Sequence, residues 1–91
     1  MIKDSIYESG NTYGALYEFE YIGDRVPTHA HSDIRLHHNV VCLRGSVEIP
    51  EFGIILLAGE IADFDCTKSH TIIALVPNSK TLHLCINGKP F

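Results

Sequence analysis

The stretch Tyr13-Gly-Ala-Leu-Tyr-Glu-Phe-Glu-Tyr21 decides the fold class, because its aromatic and acidic residues alternate. On an extended chain Tyr17, Phe19 and Tyr21 fall on one face, and the glutamates between them fall on the other. A period of two residues is typical of a half-buried β-strand. We therefore predict a strand here, ended by Gly23-Asp24 and Pro27.

Further along the chain, short apolar runs rich in β-branched residues are separated by turn residues. No stretch carries a helical apolar stripe longer than about two turns. Seven or so short strands at spacings of about ten residues predict a β-sandwich or barrel, so the expected fold class is all-β. The remaining predicted strands cover residues 37–43, 46–49, 52–57, 61–65, 70–76 and 80–86.

The length and charge of the chain limit what it can be. Its 91 residues leave room for one domain, which we expect to span residues 1–91 with a thin core. The net charge is −4 and the basic residues are scattered, which argues against nucleic acid and anionic membranes as partners. With no apolar signal segment and no long apolar run, we expect a cytoplasmic protein. Its three cysteines are expected to be reduced and mostly buried.

The type and spacing of the six histidines point to metal chemistry. His29-Ala30-His31 is an H-x-H pair, and on a strand residues i and i+2 project from the same face. Two imidazoles can then reach one metal ion. This pair is the first candidate metal site.

Two further strands each bring another histidine to an apolar face. In the strand over residues 37–43, alternation puts His38 on the face of Val40 and Cys42, which favours His38 over His37 as the inward residue. His70 leads a face that continues with Ile72 and Ala74, and an inward imidazole needs a hydrogen bond or a metal. We predict a divalent metal held by His29, His31, His38 and His70.

The last strand carries the sixth histidine, His83, which shares a face with Thr81 and Cys85. The opposite face carries Leu82, Leu84 and Ile86. Because the leucine face is the more apolar one, we expect it to point inward. His83 is then expected at the surface rather than at the metal.

The residues from Gly23 to His31, followed by His38 and Gly45, resemble the first conserved motif of the cupin superfamily. That motif is a glycine, five residues, H-x-H, a short gap, a glutamate, six residues and a glycine. Gly59 and His70 have the spacing of the second cupin motif. The resemblance covers about residues 13 to 87, and it implies a small double-stranded β-helix (jelly-roll) barrel that is usually dimeric.

The resemblance also implies a divalent metal, which cupins hold with three histidines and a glutamate. Here His38 stands at the glutamate position, and the gap after His31 is longer than in the motif, which leaves Asp33 and His37 as rival ligands. A shell of neutral imidazoles leaves the cation its full charge, which favours anionic ligands. Imidazole suits several divalent ions, so Fe(II), Ni, Zn and Mn are all candidates.

Two functions agree with these observations. The first is a metal-dependent enzyme acting on a small, anionic molecule, as a dioxygenase, an isomerase or a lyase. The alternative is a non-catalytic module or accessory protein that binds metal or a small ligand. Fold does not separate the two. In either case we expect a small-molecule ligand and, from the small size and the resemblance, a homodimer.

Overall fold

Strands form most of the described chain. The computed structural model describes residues 2–10, 12–31 and 37–86, with the backbone alone at residues 2, 3, 37 and 38. The all-β prediction is confirmed, since these residues contain nine strands, one 3₁₀ turn and no α-helix. The strands are β1 (Ile2–Ser9), β2 (Thr12–Phe19), β3 (Arg25–His29), β4 (His37–Arg44), β5 (Ser46–Ile49), β6 (Ile54–Leu57), β7 (Ile61–Asp63), β8 (His70–Ala74) and β9 (Ser79–Ile86), and the 3₁₀ turn is Pro50–Phe52.

The strands make two antiparallel sheets. The five-stranded sheet has the order β1-β2-β9-β4-β7, and the four-stranded sheet has the order β3-β8-β5-β6. Between them lies the core, in which Phe19, Val40, Ile49 and Ile72 are almost completely buried. The three cysteines are buried thiols, as expected. Within the described residues there is no helix that would be able to span a membrane.

Several strand ends differ from the prediction, since β7 and β8 also end two residues early, and two of the differences have a clear local reason. β2 stops at Phe19, and Tyr21 is 60% exposed. The carboxylate of Asp24 accepts hydrogen bonds from the backbone N–H groups of Glu20 and Tyr21, which closes a turn in place of a longer strand. β6 begins at Ile54 because Pro50 opens the 3₁₀ turn ahead of it.

β3 contains a bulge that sets the direction of its histidine. Val26 pairs with Ile72, and His29 pairs with His70. Between these two pairs β3 advances by three residues and β8 by only two, which is a β-bulge. Strict alternation would place Val26 and His29 on opposite faces, and the extra residue puts them on the same, inward face. Pro27 lies in the bulge, where a residue without an N–H group breaks no ladder hydrogen bond.

The orientation predicted for β9 is wrong. His83 is 4% exposed, and Thr81 and Cys85 beside it are completely buried. The opposite face of β9 bears Leu82 and Leu84, which are half-buried, and Ile86, which is exposed. The strand therefore turns its more polar face into the barrel and its more apolar face outward. A periodicity argument assumes the reverse.

Candidate metal centre

Three of the predicted ligands come together at one point inside the barrel. One ring nitrogen from each of His29, His31 and His70 lies within 4.8 Å of the other two. His31 is 7% exposed and His70 is completely buried, whereas His29 is half-buried. The cluster thus has a closed side formed by His31 and His70 and a more open side at His29.

The backbone fixes each of these three residues. His29 and His70 are directly opposite each other on β3 and β8, and their ring centroids are 4.4 Å apart. His31 follows β3, and its N–H donates a 2.9 Å hydrogen bond to the carbonyl of Cys66. That bond ties the segment after β3 to the loop before β8. The ligand positions therefore depend on one sheet pair and one loop contact.

Two of the imidazoles make the same local hydrogen bond. His29 Nδ1 lies 2.7 Å from the carbonyl oxygen of Pro27, and His70 Nδ1 lies 2.8 Å from that of Lys68. A carbonyl oxygen only accepts, so Nδ1 is the protonated nitrogen in both rings. In the neutral ring Nε2 then carries the lone pair that a metal ligand needs.

His70 is held in its neutral form by its surroundings. Burial lowers the pKa of His70 below its ordinary value of 6.5, and the nearby His29 ring lowers it further. The hydrogen bond to the Lys68 carbonyl and the charge of Glu51 act in the opposite direction. A neutral imidazole is the form that binds a cation.

Phe64 forms an apolar wall beside the cluster. Its ring meets His70 edge-on, with centroids 4.9 Å apart, and it also packs against Phe52 at 5.0 Å. Aromatic rings around a metal site limit the access of water and lower the local dielectric constant. Phe64 therefore shields the buried side of the cluster.

A carboxylate holds the residue next to His70 from outside the barrel. Glu51 accepts a 2.9 Å hydrogen bond from the backbone N–H of Thr71 and a 2.6 Å hydrogen bond from its hydroxyl group. These bonds lower the pKa of Glu51, the hydroxyl bond contributing most. The two hydrogen bonds therefore hold the 3₁₀ turn that carries Glu51 against β8, beside the cluster.

The donor set agrees with a divalent transition metal. Three neutral imidazoles suit Zn, Fe, Ni and Cu, and three ligands leave the remaining coordination positions of the ion open. A tetrahedral ion with bonds of about 2.1 Å requires its ligand nitrogens to lie about 3.4 Å apart. The three histidine nitrogens lie within 4.8 Å of one another, so they need to approach by at most about 1.4 Å. Small side-chain rotations supply such a movement. The residues present therefore fit a metal ion.

A pocket opens beside His29. It has a volume of about 390 Å³, a size that suits a small-molecule ligand. Ile6, Ala15, Val26 and Pro27 give it apolar walls, and Tyr17 and His29 supply polar groups. The more exposed imidazole of the cluster is thus also part of the pocket wall.

Solved structures of other proteins agree with this architecture. KdgF from Halomonas sp. superimposes with a TM-score of 0.78 at 20% identity, over 98% of this chain and 81% of that chain. An RmlC-like cupin protein from Desulfovibrio desulfuricans gives 0.75 at 21% identity, over 96% of this chain and 81% of that one. The chain has the cupin fold.

A third match covers only part of a longer chain. A chain of the complex of SigE with the anti-sigma ChrR from Rhodobacter sphaeroides matches with a TM-score of 0.73 at 21% identity. The match covers 93% of this chain and 44% of that one. The sequence itself matches no family model and no curated protein. The likeness is thus one of fold.

Three of the four predicted ligands converge in the structure. His29, His31 and His70 are the three histidines of the cupin motifs, and the structure brings them together. His38 lies in β4, where its backbone pairs with Cys85. The side chains of His37 and His38, and Asp33 altogether, lie outside the part of the chain that the structure describes.

The buried polar residue that sequence reasoning missed inside the barrel is His83. His83 Nε2 lies 3.0 Å from the Thr81 hydroxyl, and the His83 ring packs against Tyr17 with centroids 4.7 Å apart. Tyr17 in turn lines the pocket beside His29. The one sequence signal for the inward position of His83 was that Thr81, His83 and Cys85 share one face of β9. The more apolar opposite face outweighed this signal.

Proposed function

We propose that this protein binds one divalent transition-metal ion through His29, His31 and His70, and binds a small anionic molecule in the adjoining pocket. The observation that carries the proposal is the convergence of three ring nitrogens within 4.8 Å, two of them held as Nε2 ligands by backbone carbonyls. His38 remains the predicted fourth ligand.

The charge of the site determines the class of ligand. Three neutral imidazoles leave the full double positive charge on the cation, and a bound ion of this kind acts as a Lewis acid. A carboxylate or another anionic group is therefore the preferred partner. When bound, the metal supplies this electrophilic chemistry, and the apolar walls of the pocket accommodate the remainder of the molecule.

Tyr17 lines the pocket and supplies a polar group that orients the ligand. Burial raises the pKa of Tyr17 above 10.0, so its phenol keeps its proton and donates a hydrogen bond. His83 and Thr81 support the Tyr17 ring from behind. The hypothesis of a metal-dependent oxygenase, isomerase or lyase needs such a donor next to the cation.

Metal binding is tested by titrating the metal-free protein with Co(II) and with Zn(II). We expect one ion per chain, and we expect His31→Ala and His70→Ala to lose it. The matched control is His83→Ala, a histidine that is equally buried but outside the cluster. Equal affinity in all four proteins would overturn the proposal. Comparison of His38→Ala with His37→Ala tests the fourth ligand.

The visible spectrum of the Co(II) form separates a catalytic site from a structural one. If a coordination position is open, addition of azide changes the intensity and position of the Co(II) bands. We expect this change. A spectrum that does not respond to azide indicates a closed, structural site and contradicts the enzyme hypothesis.

A non-catalytic binding module is the second candidate. Its support is that the same fold forms less than half of a chain in the complex of SigE with the anti-sigma ChrR. In that role the metal or the small molecule would be sensed rather than transformed. Metal binding without any response to azide, together with a change in stability on ligand addition, favours this function.

A further inference from the structure

The inner face of β1 is only partly covered by the second sheet. The five-stranded sheet ends at β1 and the four-stranded sheet ends at β3, and these two strands are not paired with each other. Ile6 pairs with Ala15, which is buried inside the barrel, so Ile6 points to the same side of the sheet. It is nevertheless 52% exposed. The pocket beside His29 occupies this opening, because residues of β1, β2 and β3 line it.

Two acidic residues share the inner face of β1 with Ile6. Asp4 lies two positions before it and Glu8 two positions after it, and residues i and i+2 of a strand project from the same face. Asp4 pairs with Tyr17, which lines the pocket, whereas Glu8 pairs with Tyr13, which does not. Burial raises the pKa of Tyr17, and the charge of Asp4 raises it further. The Asp4 carboxylate therefore lies near the Tyr17 phenol, at the rim of the pocket.

Asp4 and the histidine cluster lie toward opposite ends of the pocket. Tyr13, near the start of β2, belongs to one buried cluster with Cys66, and the carbonyl of Cys66 accepts the hydrogen bond from the N–H of His31. The start of β2 is therefore the end that lies beside the histidines. Tyr17 is four residues further along β2, about 13 Å away along the strand. Its partner Asp4 is displaced from the histidines in the same direction.

The two ends of the pocket differ in charge. A divalent cation at the three neutral imidazoles makes the inner end positive, and the carboxylate of Asp4 makes the rim negative. Of the residues that the structure describes, no lysine or arginine lines the pocket. A cationic group on a bound molecule is therefore repelled by the metal and attracted by Asp4. The pocket thus favours an anionic group at one end and a cationic group at the other.

We propose that Asp4 determines ligand specificity: the molecule whose anionic group binds the metal also carries an ammonium or guanidinium group, which the Asp4 carboxylate holds at the rim. The inference rests on the proposed function, because the metal fixes the anionic end. The cationic group donates charge-assisted hydrogen bonds to Asp4. Ile6 and Val26 contact the carbon chain between the two charges. The ligand class is an amino acid or similar zwitterion whose charges are several carbons apart.

The test compares acids that differ only in the cationic group. γ-Aminobutyrate is matched in length by pentanoate, and ε-aminocaproate by heptanoate. Each acid is titrated into the Co(II)-loaded full chain, and the change in the visible Co(II) bands reports binding at the metal. We expect at least one amino acid to bind about 3- to 10-fold more tightly than its methyl analogue. In Asp4→Asn this preference should disappear, while pentanoate and heptanoate should bind no more weakly than to the wild type.

The matched control is Glu8→Gln, which removes a charge from the same face of the same strand, but beside Tyr13 rather than Tyr17. We expect it to keep the wild-type preference. Equal affinity of the wild type for both members of each pair overturns the inference, as does an equal loss of preference in Asp4→Asn and Glu8→Gln. In both cases Co(II) remains bound and the proposed function stands. A chain that binds no Co(II), or whose Co(II) bands respond to no acid, overturns the proposed function and the inference with it.

Discussion

The hydroxyl oxygens of Thr28 and Thr71 lie 2.6 Å apart and join the bulge of β3 to β8. The Thr71 hydroxyl donates its single proton to Glu51, so the proton between the two threonines comes from Thr28. The hydrogen bonds therefore run from Thr28 to Thr71 to Glu51. Thr28 precedes His29 and Thr71 follows His70, and this chain of bonds restrains the backbone beside both histidines.

We predict that Glu51→Gln weakens metal binding by about 3- to 10-fold, less than the loss from removing a group bonded to a ligand itself. A glutamine amide accepts at one atom only, so one of the two bonds to Thr71 is lost. The measurement is a competition titration of Zn(II) against a chelator. Glu48→Gln, which removes the same charge from neighbouring β5, should bind as the wild type does. Equal affinity in both variants would show that Glu51 does not position the cluster.

We predict that Gly45→Ala destabilises the fold by about 2–4 kcal/mol. Gly45 has a φ of 77°, and a Cβ at this position would collide with Ser79, including its backbone. Gly53 has a φ of 64° with no atom close to where its Cβ would be, so Gly53→Ala should cost only about 1 kcal/mol. Urea denaturation measures both. Equal losses would mean that the contact with Ser79 adds nothing.

The stability of the protein should fall at alkaline pH. Burial raises the pKa of Cys85 from 9.0 to about 11, with a smaller contribution from Cys66. Between these values the unfolded chain loses the thiol proton and the folded chain keeps it, so the free energy of unfolding decreases with pH. The decrease should reach at most about 2–3 kcal/mol and level off above pH 11. Cys85→Ala should show a smaller slope over pH 9–11.

We predict that His83→Ala lowers the free energy of unfolding by about 2–3 kcal/mol. The substitution removes the ring that packs on Tyr17 and leaves the buried Thr81 hydroxyl without its partner. Thermal denaturation measures the loss. His83→Gln keeps a polar group near Thr81 and should recover part of it. A wild-type melting temperature for His83→Ala would show that these contacts contribute nothing.

Much of the architecture could be predicted from local pattern. Alternation in the stretch over residues 13–21, and in those that form β4 and β8, indicated strands and identified Val40, Cys42 and Ile72 as inward residues. β1 was not predicted, because Ile2–Ser9 has few apolar residues and all those with described side chains are exposed. Its stability comes from pairing with β2, which no local pattern records.

The site was predictable only in part. The spacing of histidines identified three residues that do come together, but the bulge that turns His29 inward is a feature of pairing between β3 and β8. The error at β9 has a physical cause as well. Apolarity alone does not decide which face of a strand lies inward, because the polar groups of Thr81 and His83 bond to each other inside the barrel.

Along β9 neighbouring side chains belong to different environments. Ser79, Thr81, His83 and Cys85 are buried between the sheets, and Lys80, Leu82, Leu84 and Ile86 lie on the outside. A systematic scan of residues 79–86 should therefore yield two interleaved profiles, in which odd positions affect folding and ligand binding and even positions affect only the outer surface of the sheet. Slippage of this strand by one residue would exchange the two sets, so register errors here would impair both properties at once.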